Sequence, residues 1–153
     1  MQIAYRIALI LTFLISSTVP QSSAETPKTE AKPQKFAAIL IWGTDGERPE
    51  GKDLKDVDNN LKEKFKKIFK WKNYFEVTRK PFDLKTGDTH MLKLSSKCDV
   101  KVHQSEKEGM EVELIGEGNF VVKRKQAMPL TDILILAGDD KNATAWFVVI
   151  KPE

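Results

Sequence analysis

The sequence predicts a single α+β domain, one amphipathic helix packed on a mostly antiparallel β-sheet or sandwich. Three observations carry that expectation. Continuous apolar runs stand near both ends of the chain: "FAAILIW" (36–42) at one, "DILILA" (132–137) and "AWFVVI" (145–150) at the other. Between them, apolar residues recur at helical spacing over 54–69. From residue 74 onward the pattern alternates with a period of two.

Residues 1–24 read as an export signal. Arg6 and the amino terminus make a positive start, "IALILTFLI" (7–15) is apolar apart from Thr12, and "SSTVPQSSA" brings small residues to a cleavage point before Glu25. The apolar run is shorter than the roughly 20 residues a membrane-crossing helix needs, so cleavage is expected. "ETPKTEAKPQK" (25–35) is polar, holds two prolines and reads as a flexible linker. Residues 36–153 are then one domain. Cys98 is the single cysteine, which excludes an internal disulfide. Export without disulfides points to a bacterial protein, periplasmic or secreted after signal cleavage.

The elements of the domain follow in order. The uninterrupted apolar run of "FAAILIW" predicts a strand covered on both faces. "GTDGERPEGKD" is rich in glycine and predicts a loop. Leu54, Val57, Leu61, Phe65, Ile68 and Phe69 then fall on one helical stripe, with Asp53 as N-cap, acids in the first turns and lysines at the end. Lys62, Lys66 and Lys70 form a separate stripe facing solvent. "YFEVTR" (74–79) and "THMLKLS" (89–95) predict strands. In "CDVKVH" (98–103), Cys98, Val100 and Val102 face inward; in "MEVELI" (110–115), Met110, Val112 and Leu114 do the same. "GEGN" turns the chain into "FVVKRK" (120–125). The three fully apolar runs are expected to lie side by side in the middle of the fold, with the helix over one face.

Catalytic templates are missing from the sequence. Cys98 and His103 lie an odd number of residues apart on one strand, so their side chains leave opposite faces and form no nucleophile–base pair. No G-x-S-x-G, H-x-x-x-H, C-x-x-C or phosphate-binding glycine pattern occurs. Asp88 and His90 share one strand face and Asp99 and His103 another, so pairing of these strands would gather four ligating groups. Polar residues on a solvated sheet face are the commoner arrangement, and no metal or cofactor is expected.

What remains is the basic stretch "LKEKFKKIFKWKNYF" (61–75). Lys62, Lys66, Lys70 and Lys72 with Trp71 are the candidate binding residues, suited to an anionic polymer or a membrane surface. The ordinary alternative is a solvated helix face. Lys and Arg number 25 against 22 Asp and Glu, a near-balance that argues against nucleic acid as a partner.

"ILIWGTD", "FKWKNYFEV" and "TAWFVVIKP" resemble a group of small exported bacterial proteins. That resemblance spans residues 36–152 and implies an envelope location and one compact domain, with no substrate or catalytic residue. The expected function is therefore non-catalytic binding or assembly in the cell envelope, with a protein partner. Two alternatives stand beside it: a small envelope enzyme using His90, His103 and Cys98, and a module that binds anionic polymer or lipid through residues 61–72.

Overall fold

The strand predicted at 36–42 is the organising element. The computed structural model describes residues 32–106, 108–138 and 142–153; the expected signal peptide and most of the linker lie outside these. The strand β1 runs Gln34–Thr44, beginning inside the stretch read as linker. Its continuous apolar run meets cover on both faces, as expected of such a sequence. Phe36, Ala38 and Leu40 are buried on one face, and Ala37, Ile39 and Ile41 on the other.

Around β1 the described chain adds β2 (Lys55–Asp56), α1 (Asn59–Ile68), β3 (Asn73–Leu84), β4 (Thr89–Lys93), β5 (Cys98–Ser105), β6 (Gly109–Gly116), β7 (Asn119–Gln126), β8 (Leu134–Gly138) and β9 (Thr144–Pro152). These strands make two antiparallel sheets, one of five strands in the order β2-β3-β1-β9-β8 and one of four in the order β4-β5-β6-β7. The three apolar runs are neighbours, as their composition implied. The main core lies between the sheets, where Phe36, Leu40, Val148 and Ile150 meet Val100, Val102, Met110 and Val112. A second cluster lies on the opposite face of the five-stranded sheet, beneath α1.

The α+β expectation is corrected here. Strands take 58% of the described residues and helix 8%, so the protein is mostly β: two antiparallel sheets with one short helix, not a helix-on-sheet architecture. Two local effects account for the difference. First, α1 starts at Asn59, because Asp58 rather than Asp53 is its N-cap: Asp58 Oδ1 accepts the Leu61 N–H at 2.9 Å. Leu54 and Val57 are buried but lie outside the helix, flanking Lys55 and Asp56, which pair with Glu76 and Phe75 of β3. A three-residue apolar spacing does not distinguish that path from a helical turn. Second, β3 continues through Pro81 to Leu84. Proline is tolerated there because β2 covers β3 only at Phe75 and Glu76, and the remaining edge needs no N–H donor.

The helix ends where Phe69 turns extended, its N–H still bonded to Phe65 O at 2.8 Å. Ile68, expected in the core, is instead 62% exposed. Phe65 is fully buried, with its ring edge-on to Tyr74 and Phe147 at 5.0 and 5.1 Å. Phe65→Ala is expected to lower stability by about 3–5 kcal/mol, the cost of a large cavity in a packed cluster. The combined change of Lys62, Lys66 and Lys70 to Gln is expected to stay within about 1 kcal/mol. Urea unfolding of the two variants checks both values.

Candidate functional site

The basic stretch is divided between α1 and the segment that follows it. Lys62 and Lys66 lie on α1, and Lys66 pairs with Glu63 at 3.4 Å. Lys70 lies past the helix end with its ammonium 4.7 Å from the centre of the Trp71 ring. Lys72 is exposed, and its backbone N–H donates to Asp45 Oδ1 at 3.1 Å. Trp71 is half-buried against the cluster beneath the helix, lying over Gly43, where a Cβ would come within 3.0 Å of its ring. Gly43 is thus required by that close approach.

Nearby, Lys64 pairs with Asp132, and Lys151 with Asp58 at 3.4 Å. These pairs line a cavity of about 150 Å³ and tie the helix to the segment before β8 and to the end of β9. Partial burial raises the Asp58 pKa, but the Leu61 N–H and the Lys151 ammonium outweigh it and hold the carboxyl below its usual range. The other locally basic run, on β7, is likewise matched: Lys123 reaches Glu111 and Glu113 on β6 at 2.9 and 2.5 Å, and Lys125 reaches Glu108. Cross-strand ion pairs of this kind stabilise a solvated sheet face modestly.

The ring constellation that sequence reasoning missed lies at one end of the five-stranded sheet. Trp42 continues the alternation of Phe36, Ala38 and Leu40, and its register partners are Trp146 on β9 and Phe75 on β3. None of the three belongs to the inter-sheet core. The Trp42 and Trp146 rings stack at 6.3 Å, and Trp42 meets Phe75 at 6.1 Å. Trp146 is 40% exposed because its neighbour on β8 is Gly138, which has no side chain to cover it. The loop of residues 45–54 brings two cations to these rings. Arg48 lies 5.3 Å from the centre of Phe75 and pairs with Asp56 at 2.9 Å; the Lys52 ammonium lies 5.5 Å from Trp42. The loop is pinned by Asn73 Nδ2, which donates to Gly46 O at 2.8 Å. The run "AWFVVI" reads as buried throughout; only the strand register shows that Trp146 faces a glycine.

The two histidines are kept on opposite faces of one sheet, and His90 lies 3.9 Å from Asp88. The register pairs His103 with Thr89 and His90 with Val102, so the two imidazoles leave opposite faces of the four-stranded sheet. His103 Nδ1 lies 2.9 Å from Thr89 Oγ1 on the outer face, while His90 lies beside Phe82. The four-ligand cluster that strand pairing would have allowed is therefore not formed. No group of three metal-ligating side chains occurs among the described residues. Cys98 packs against the inter-sheet core, and burial, with the Asp99 charge adding to it, pushes its thiol up to about 11.

Comparison of the chain with protein-family models, with curated proteins and with solved structures finds no match.

Since thiolate is the reactive form, native Cys98 is expected to react with a maleimide about a hundredfold more slowly than in the unfolded chain near neutral pH. The pH dependence has a definite sign. The raised thiol value stabilises the fold fully below the ordinary 9.0, and that contribution is lost as pH rises through about 11. Denaturation midpoints of the wild type and Cys98→Ser, taken across this alkaline window, are expected to converge as pH rises.

Proposed function

We propose that the protein is an exported, non-catalytic binding module of the bacterial cell envelope that docks a protein partner through Trp146, Trp42 and the loop of residues 45–54. The single observation that carries this reading is the exposed Trp146 ring stacked on Trp42, with Arg48 and Lys52 beside it. Tryptophan and arginine dominate the energetics of protein interfaces, because a large rigid ring gains much on burial and loses little entropy. A stacked pair at the end of a sheet is already held in place, so docking orders few side chains.

Two further features support a binding role over chemistry. The Cys98 thiol is held protonated, and the two histidines point away from each other. Of the lysines in residues 62–72, Lys66 is paired with Glu63 and Lys70 lies over the Trp71 ring. Export rests on the signal-like residues 1–24.

A photo-crosslinking residue placed at Trp146 in the native host is expected to yield one discrete protein adduct. The same residue at Lys93, on the outer face of the four-stranded sheet, is expected to yield none. Equal adducts at both positions, or none at either, would assign the tryptophans to packing alone. Trp146→Ala is expected to change stability by about 1 kcal/mol, the worth of an exposed stacked pair, so loss of the adduct partner would not reflect unfolding.

A further inference from the structure

The tryptophan surface runs into the edge of its own sheet. Trp146 lies on β9, and its neighbour across the ladder is Gly138, the last residue of the edge strand β8. β9 occupies one side of β8, and no other described backbone group is hydrogen-bonded to the opposite side. β7 comes near it from the other sheet without sharing a ladder. An edge of this kind presents a row of N–H and C=O groups on which a further strand can pair.

The other edges of the two sheets are guarded. Lys80 and Pro81 lie on the open edge of β3, Lys93 on β4, and Lys123 and Lys125 on β7. Charges and proline on an edge strand oppose pairing with another chain, because pairing would strip the charges of water or leave an acceptor without its donor. β8, "LILAG", has neither a charge nor a proline. It is also held in place on both faces: Leu136 is buried in the inter-sheet core, and Ile135 packs on the cluster beneath α1. A fixed, uncharged edge loses little freedom when a strand is added.

We propose, resting on the reading that Trp146 docks a protein, that the partner adds an extended strand to the open edge of β8 and sets an aromatic side chain opposite Gly138. Neighbouring strands lie about 4.8 Å apart, so a residue opposite Gly138 stands about 10 Å from the Trp146 backbone. Only a long side chain lying across the bare glycine spans that gap. The space exists: a Cβ at Gly138 would meet nothing closer than Trp146 O at 3.9 Å. A ring that crosses it packs on the exposed Trp146 ring. A second copy of the chain fits poorly. β8 holds no aromatic residue to reach across, and a five-residue ladder buries far less than the about 1,200 Å² of a stable interface.

The test is an NMR titration of the protein with the extended peptide acetyl-KTVWVTK-amide. Saturable shifts at millimolar concentration are expected at the amides of Leu134 to Gly138 and at the Trp146 indole. A peptide with alanine in place of tryptophan is expected to bind about fivefold more weakly, the worth of one aromatic pair. Methylating the three central amide nitrogens of the peptide removes its donors to β8 and is expected to weaken binding about tenfold or more. Gly138→Val, which fits the open space with the fold intact, is expected to abolish the advantage of the tryptophan peptide over the alanine peptide. Shifts confined to the Trp42 and Trp146 rings, equal binding of the methylated peptide, or an advantage that survives Gly138→Val would overturn strand addition, as would the lack of any saturable shift. The crosslink at Trp146 judges the docking reading separately: an adduct there alongside any of these results sinks the added strand alone.

Discussion

The burial of β1 on both of its faces is the constraint on which the rest of the structure depends. Phe36 and Leu40 point into the space between the sheets, and Ile39 and Ile41 point under the helix. Burying each such side chain contributes about 1.5–3 kcal/mol, so uncovering either pair forfeits roughly 3–6 kcal/mol. That is a large share of the about 5–15 kcal/mol by which a domain of this kind is stable. Both covers are therefore needed. The four-stranded sheet supplies one, through Val100, Val102, Met110 and Val112; α1 supplies the other, through Leu61 and Phe65. The second cover is small. One ten-residue helix, capped by Asp58 and anchored by Phe65, closes that face with help from Phe69 and Trp71.

The same arrangement leaves the tryptophan end open. Trp42 continues the alternation of the inter-sheet face but lies outside the core that the four-stranded sheet covers. The loop of residues 45–54 is what the chain lays over this end, and it brings Arg48 and Lys52 to the rings. A ring surface covered by cations is half-solvated, and that is the physical basis for assigning docking to it. At the other end, the hairpin of β5 and β6 buries the Gln104 side chain at the edge of the inter-sheet core.

Much of the sheet structure was legible, because each strand is a short run with a single clear pattern. "FAAILIW" declared two-sided burial by having no polar position. The alternation in "CDVKVH" and "MEVELI" placed Val100, Val102, Met110 and Val112 inward, as found. The helix was over-read for a physical reason: Leu54 and Val57 are buried just as a helical stripe requires, but through the extended stretch around Lys55 and Asp56. Two buried residues three apart can share a helical face or leave opposite sides of an extended stretch, and Asp58 decides between them by capping Leu61. The tryptophan surface was not legible at all. Exposure of Trp146 depends on Gly138 being its neighbour across β8. That is a property of register, which local pattern does not encode when both faces of a strand are apolar.

Native-state amide hydrogen exchange, resolved by residue, tests the dependence on β1 most directly. Amides of Ala37 to Ile41 and their partners on β9 are expected to exchange only through global unfolding, while those of the solvated edge strand β7 exchange through smaller local openings. Exchange of the β1 amides at rates like those of β7 would contradict the account, because a strand covered on both faces cannot open without losing both layers.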